Sequence, residues 1–361
     1  MQISSIKLTN FRNYAFAEFS FQQNITVIAG NNGIGKTNLL EAISLLAPGK
    51  GIRSASLEEL KKADANNWSI FAAVEGYNIG TGQENNSNKR IVKIDGEQQK
   101  GANILAQYFS CIWLTPQMDG IFIADNSERR KFFDRIIYNF DPEHASRVAI
   151  YENAMRERLR LLKDGSADNI WLKTLEKRMA EYGIAIAAAR TEIIHLLQNA
   201  INESTTGFLQ PQITIDGKYE NILATHSALE TELIFAEDLF NARYIDANTG
   251  RTTNGVHRTD FRAHNNIKNI GANNSSTGEQ KAMLLTIILS LARMLKKHKN
   301  RTPVILLDEV IAHLDENRRQ QLFDEIKQLG CQAFLTGTDG AIFKGLEAEF
   351  LSINNKPLRA A

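Results

Sequence analysis

Residues 25–38 read Ile25-Thr26-Val27-Ile28-Ala29-Gly30-Asn31-Asn32-Gly33-Ile34-Gly35-Lys36-Thr37-Asn38 and run on into LLEAISLLA. The apolar opening predicts a short buried strand, and the periodic apolar residues from Leu39 predict a helix. Between them Gly30 to Thr37 satisfies G-x-x-x-x-G-K-[ST] in the strand-to-helix setting of a phosphate loop. Glycines let the backbone curl so that successive N–H groups point inward, and the helix start adds its positive end; together they cradle a phosphate. Lys36 would reach the β and γ oxygens and the Thr37 hydroxyl would ligate Mg2+. The loop Gly30, Asn31, Asn32, Gly33, Ile34, Gly35, Lys36, Thr37 and Asn38 is therefore the expected ATP site. A glycine turn followed by a surface lysine would account for the motif alone, but not for its flanks.

A second apolar strand, Val304-Ile305-Leu306-Leu307, ends in Asp308-Glu309. Alternation along a strand sends neighbouring side chains to opposite sides, so the two carboxylates are expected to diverge. Asp308 would hold Mg2+ through its water shell, and Glu309 would act as the catalytic base on the attacking water. Upstream lies Ser275-Ser276-Thr277-Gly278-Glu279-Gln280, directly before a long apolar helix. Its exposed N–H groups and helix dipole make a second phosphate-binding arrangement. Ser276 and Glu279 also fit an ordinary capping box.

The chain has 361 residues, enough for one large domain with an insertion or for two domains. Its formal charge of +1 supplies no global basic field, so a nucleic-acid site must be local or assembled from two chains. Cys111 and Cys331 sit in apolar strand-like runs without metal-ligand spacing, which suits core positions in a reducing compartment. The opening MQISSIKLTNF is unlike a signal segment and MLLTIILSLA is too short to span a bilayer, so a cytoplasmic protein without a membrane partner is expected.

Residues 2–8 and 15–21 alternate like an antiparallel pair around FRNY. Residues 70–96 predict a hairpin of two strands, SIFAAVEGY and RIVKIDGE, joined by the polar loop TGQENNSN. From about Ser127 to Asn202 the pattern becomes charged and amphipathic, predicting a helical insertion, and after Ser275 alternating helices and strands return. The expected fold class is α/β, a mixed-sheet P-loop head built from residues 1–125 and 245–361, with 126–244 as an inserted α-helical arm.

The order of phosphate loop, insertion, serine-rich helix start and carboxylate strand, followed by Ala312-His313-Leu314-Asp315, resembles the ABC-type ATPases. In that class the signature helix, here Ser275 to Gln280, contacts the γ-phosphate held by a second protomer, and Asp315 matches the D-loop acid. Because the helical insertion separates Lys36 from Ser276, the likeness is to the SMC-like branch. Within it the chain resembles the RecF family nearly end to end. The carriers are Leu8-Thr9-Asn10-Phe11-Arg12-Asn13-Tyr14, the phosphate loop, Ser127-Glu128-Arg129-Arg130-Lys131-Phe132-Phe133-Asp134, Gly255-Val256-His257-Arg258-Thr259-Asp260, the signature, and Ile305 through Asp315.

The resemblance implies a protein of DNA replication, repair and the SOS response. It implies ATP-dependent homodimerisation on duplex DNA, slow DNA-stimulated hydrolysis, and cooperation with RecR and RecO in loading RecA at gapped single/double-strand junctions. It also points to Arg12 as a phosphate contact and to Gln117 as a Q-loop residue sensing Mg2+; Arg12 equally fits a surface arginine in a β-turn. The motor subunit of another ABC-type ATPase and a P-loop small-molecule phosphotransferase are the competing readings. Two departures stand out: Val256 and Thr259 replace the family's usual Pro and second Asp, and Thr336-Gly337-Thr338-Asp339 lacks the His of wider relatives. Arg258 remains a functional cation, and a phosphate sensor at Thr336 would be a hydroxyl or a backbone N–H. For DNA the candidates are Arg129 and Arg130 on the arm and Lys296, Lys297 and Lys299 in the densest basic run; cations there also suit the end of a long helix.

Overall fold

The computed structural model describes residues 1–84, 87–164, 169–204, 207–311 and 314–353. Strands β1 (Ile3–Phe11), β2 (Tyr14–Ser20) and β3 (Ile25–Ala29) lead into helix α1 (Lys36–Ser44) and the one-turn α2 (Leu57–Leu60). Next come β4 (Trp68–Val74), β5 (Tyr77–Gln83), β6 (Ile91–Ile94), β7 (Glu97–Gln98), α3 (Leu105–Tyr108) and β8 (Cys111–Leu114). A mostly helical stretch follows: α4 (Asn126–Tyr138), α5 (His144–Asp164), α6 (Asn169–Asn202), β9 (Pro211–Asp216), α7 (Lys218–Leu223), α8 (Ala228–Asn241), α9 (Arg243–Thr249), β10 (Asp260–Asn265) and β11 (Ile270–Gly271). Then come α10 (Thr277–Lys299), β12 (Val304–Leu307), α11 (Glu316–Leu329), β13 (Ala333–Gly337) and β14 (Glu349–Leu351).

Contacts divide the chain into two compact units. The first is Met1–Asp119 with Ser204–Phe208 and Leu284–Ala361; the second is Gly120–Glu203 with Leu209–Met283. Residues 245–283, which the sequence reading joined to the head, thus group with the helical stretch. The reason is local: β10 pairs along β9, and buried Asp246 receives Arg158 of α5 at 2.6 Å.

In the first unit a six-stranded antiparallel sheet runs β2-β1-β4-β5-β6-β7. Two-residue turns close its hairpins at Glu75-Gly76 (φ 45 and 88) and Asp95-Gly96 (φ 48 and 87), the paired left-handed conformations that match strand twist. Residues 70–96 therefore hold three strands, not the expected two. The missed strand, β5, contains Gly80 and Gly82, which dilute the β signal. Gly82 is required because a Cβ there would stand 2.4 Å from the Trp68 carbonyl oxygen. A second sheet runs β14-β3-β13-β12-β8, all neighbours parallel; its strands β3, β13, β12 and β8 are almost wholly apolar because they are buried on both faces, while the edge strand β14 is partly exposed. Cys111 and Cys331 are free and buried.

The second unit is built on α5 and α6. Tyr151, Met179, Ala187, Tyr219, Phe235 and Leu239 form its core, and Phe133 of α4 stacks on Phe261 of β10 at 4.9 Å. Arg158 is fully buried there but meets Glu176 at 3.0 Å and the Leu239 carbonyl at 2.6 Å as well as Asp246, so its charge and donors are matched. Among the described residues no helix is long and apolar enough to cross a membrane.

Candidate active site

The parallel sheet places its loops at the carboxyl ends of adjacent strands, where open α/β sheets bind ligands. Gly30 follows β3 and its N–H donates to the Gly337 carbonyl at the end of β13 at 3.1 Å. Lys36 is almost buried, and its ammonium donates to the Gly30 and Asn31 carbonyls at 2.5 and 3.1 Å. Gly35 sits at φ 110, and a Cβ there would stand 2.6 Å from Tyr14 Oη and 2.8 Å from Asn13 Nδ2. Both groups brace the loop: Tyr14 Oη donates to the Gly35 carbonyl at 3.0 Å and Asn13 Nδ2 to that of Ile34 at 3.3 Å. Burial pushes the Tyr14 phenol well up, which keeps it a donor. Asn38 in turn donates to Asn13 Oδ1 at 2.7 Å. Among the described residues no acceptor stands against the backbone N–H groups from Gly33 to Thr37, so a phosphate fits the cradle.

Thr37 Oγ1 lies 3.1 and 3.0 Å from the two carboxylate oxygens of Asp308. No cluster of three or more metal-binding side chains occurs among the described residues. A hydroxyl and one carboxylate facing each other suit Mg2+, which keeps several waters and takes few protein ligands beside phosphate oxygens.

Strand β12 ends at Leu307, so strand alternation does not steer the two acids as expected. Instead Glu309 takes a left-handed conformation (φ 54) directly after Asp308. Such a residue costs about 1–3 kcal/mol and needs support. Its N–H donates to Thr336 Oγ1 at 2.9 Å, while the same hydroxyl donates to Asp308 Oδ1 at 2.7 Å. Thr336, expected as a phosphate sensor, is fully buried and already engaged on both sides.

Arg12 is also committed. Its guanidinium pairs with fully buried Glu41 of α1 at 2.8 and 2.7 Å and donates to the Glu59 carbonyl at 2.7 Å. Arg53, which the motifs did not single out, donates to Glu41 Oε2 at 3.0 Å and to Asn38 Oδ1 at 2.7 Å. Two cations thus share one carboxylate beside the loop. Gln117 is exposed in the turn after β8, on the sheet end that carries Asp308. Asp315 caps α11 by accepting the Arg318 N–H at 2.9 Å, while Ala312 and His313 lie outside the described residues.

The signature residues open α10 in the second unit. Ser276 and Glu279 form the capping box: Glu279 Oε2 accepts from the Ser276 N–H and hydroxyl at 2.9 and 2.8 Å. Lys268 at 2.8 Å and these bonds hold the Glu279 carboxyl down to about 2. Ser275 and Gln280 are buried and bonded to each other (Gln280 Nε2 to the Ser275 carbonyl, 2.9 Å), whereas Ser276, Thr277 and Gly278 are exposed at the helix start.

The arm arginines expected to meet DNA also hold partners within the second unit. Arg129 grips Asp260 with two bonds of 2.8 Å, and Arg130 donates to the Thr259 carbonyl at 3.0 Å. Thr259, which replaces the family's usual acid, donates to buried Glu220 at 2.8 Å, where a carboxylate would face a like charge. Arg258 is exposed. In the basic run, Lys296 donates to the Leu329 carbonyl at 2.8 Å, and Lys297 and Lys299 are exposed.

Comparison with known proteins accords with this geometry. Residues 1–221 match the family model described as AAA ATPase domain. The chain is 43% identical to the DNA replication and repair protein RecF of Rhizobium rhizogenes, over 97% of this chain and 96% of that one. It is 41% identical to the protein of the same name from Agrobacterium fabrum, over 100% and 99%. Among solved structures it is similar to the recombination mediator protein RecF-ATPrS in the RecFOR pathway, with a TM-score of 0.86 and 25% identity over 98% of this chain and 96% of that one. The Smc head domain derived from Pyrococcus furiosus, at 17% identity and a TM-score of 0.53 over 97% and 92%, shares the fold. The architecture is therefore the ABC-type ATPase head of α/β class. Matched along nearly its whole length by RecF proteins, the chain belongs to the RecF family.

Proposed function

We propose that this protein is an ATP-dependent DNA-binding protein of replication and recombinational repair, acting in the cytoplasm. It dimerises on duplex or gapped DNA when ATP is bound, hydrolyses ATP slowly under DNA stimulation, and helps RecR and RecO load RecA at single-strand gaps. The observation that carries this reading is the meeting of the phosphate loop, Asp308, Glu309 and Thr336 at the carboxyl ends of three neighbouring parallel strands.

The loop N–H groups and Lys36 would bind the β and γ phosphates, with Tyr14 and Asn13 holding the loop's shape. Thr37 and Asp308 would hold Mg2+, with Gln117 sensing it from the neighbouring strand end. Bound there, Mg2+ neutralises charge developing on the phosphate oxygens. Glu309 would take the proton of the attacking water while Thr336 keeps it aimed. Arg12, neutralised by Glu41, would act through α1 rather than as a free phosphate contact. Ser276, Thr277 and Gly278 would present N–H groups to the γ-phosphate held by a second protomer, with Asp315 beside that interface. Lys296, Lys297 and Lys299, together with Arg129 and Arg130 of the arm, all doubled by dimerisation, would contact DNA phosphates.

The test is a titration of fluorescent duplexes of unrelated sequence at several salt concentrations with ATP, ADP or no nucleotide, alongside molecular-size measurement. Each neutralised phosphate steepens the log–log salt slope by about 0.9. ATP should produce a dimer, tighter binding and a steeper slope with little sequence preference. Equal affinities and slopes in all three states would reject the clamp.

A further inference from the structure

Helix α8 is apolar on two opposite faces, and among the described residues only one of them finds a partner. Thr231, Phe235 and Leu239 are buried, with the Phe235 ring stacked on Tyr219 at 4.0 Å. On the other side Leu229 (68% exposed), Leu233 (65%), Phe240 (48%) and, one turn into α9, Tyr244 (79%) stand in solvent. Ala242 between the helices is itself right-handed helical (φ −82, ψ −6), so the winding continues through the junction. At about 100° per residue these four side chains fall within an arc of about 60°, forming a ridge of about 22 Å. A solvent-facing helix ordinarily places charges there; a long apolar stripe marks an interaction surface.

The charges beside the ridge restrict its occupant. Glu230 and Glu237 border one side and Glu232 the other, while Asp238 is tied to Lys218 at 2.6 Å. Arg243 lies over the Phe240 ring at 4.7 Å, and its charge is taken by Glu176 at 2.8 and 2.6 Å. The border is therefore acidic. It repels nucleic acid and anionic lipid, and a second copy docked symmetrically on the same face would set acid against acid.

We propose that the α8–α9 ridge is the docking surface for a protein partner whose facing surface is apolar with a cationic rim. Leu233, Phe240 and Tyr244 anchor the contact, and Glu232 and Glu237 set its orientation and its sensitivity to salt. The inference rests on the repair reading only for its probes, which are purified RecR and RecO from the same bacterium.

Each probe is titrated against the full chain, against a Leu233→Asp/Phe240→Asp double variant, and against a Glu232→Lys/Glu237→Lys variant. All four positions lie outside the buried core, and circular dichroism checks that the variants fold. One probe should bind the parent chain, about tenfold or more weakly to the first variant, and with weakened, less salt-sensitive affinity to the second. Binding by neither probe, or equal binding to parent and variants, overturns the proposal. So does self-association of the parent chain that the first variant abolishes, since the occupant would then be a second copy. ATP-dependent DNA binding is measured on all three proteins: retained throughout, it leaves the repair reading intact if docking fails, and absent from the parent chain, it sinks that reading instead.

Discussion

The Thr336 hydroxyl donates to Asp308 Oδ1 across 2.7 Å. Because its oxygen also accepts the Glu309 N–H, one side chain ties Asp308, the proposed metal-side acid, to the backbone of Glu309, the proposed base. Thr336→Val keeps the shape and removes both bonds, leaving a buried carboxylate and a strained N–H less satisfied. A stability loss of roughly 1–3 kcal/mol is expected. Hydrolysis should fall more than ATP affinity, and Thr336→Ser should restore it. Denaturant titration with steady-state ATPase assays checks this; an unchanged kcat in Thr336→Val would remove the aiming role.

Lys36→Ala and Glu309→Gln should separate binding from chemistry. The first removes the charge held over the loop and should abolish measurable ATP affinity. The second keeps ATP binding and loses about 10²–10⁴ in hydrolysis, the usual worth of a positioned base, so a long-lived dimer accumulates. Fluorescent-nucleotide binding and single-turnover hydrolysis read the two effects. Parental turnover by Glu309→Gln would assign the base elsewhere.

Ser276→Arg places a bulky cation at an exposed helix start without touching buried Ser275 or Gln280. Monomeric ATP binding should persist, while dimerisation and hydrolysis are lost. The same experiment places the signature: if the isolated monomer stops binding ATP, its contact lies within one chain.

His257 supplies a pH dependence. Burial pushes its imidazole down to about 4, from the usual 6.5, while its two nitrogens lie 2.8 Å from Tyr151 Oη and 3.0 Å from the Thr252 carbonyl. Between those values the unfolded chain carries a proton that the folded chain does not, so stability falls as pH drops from about 6.5 to about 4. A shift of this size corresponds to about 3 kcal/mol. His257→Gln should flatten this part of the denaturation profile. Superimposable profiles for parent and variant between pH 7 and 4 would show that another group carries the loss.

What the sequence made legible was local. The phosphate loop declares itself because its chemistry is contiguous and its glycines serve a backbone curl. Asp308 and Glu309 do so because an apolar strand runs straight into them. The hydroxyl of Thr336 could be noticed but its use could not, since both its partners lie far away in the sequence. Arg129 and Arg130 looked like surface cations because helical periodicity leaves them on a charged face; only the packing of α4 on β10, with Phe133 stacked on Phe261, brings Asp260 and Thr259 up to meet them. Glu41 hid for the same reason: one acid on an apolar helix gives no sign that Arg12 and Arg53 will converge on it.

The strand order β14-β3-β13-β12-β8 also sets a timetable for synthesis. The strand that carries the phosphate loop is made among the first thirty residues, yet both its neighbours, Ala333–Gly337 and Glu349–Leu351, are made almost last. Each hairpin of the antiparallel sheet can close as it leaves the ribosome, but β3 must wait, apolar and unpaired, until nearly the whole chain has been translated. A nascent or truncated chain ending before Ala333 would carry every letter of the phosphate-loop motif and still bind no nucleotide. Repair capacity would then begin only with completed molecules, and an interrupted translation product would be a client for chaperones rather than a competitor for ATP.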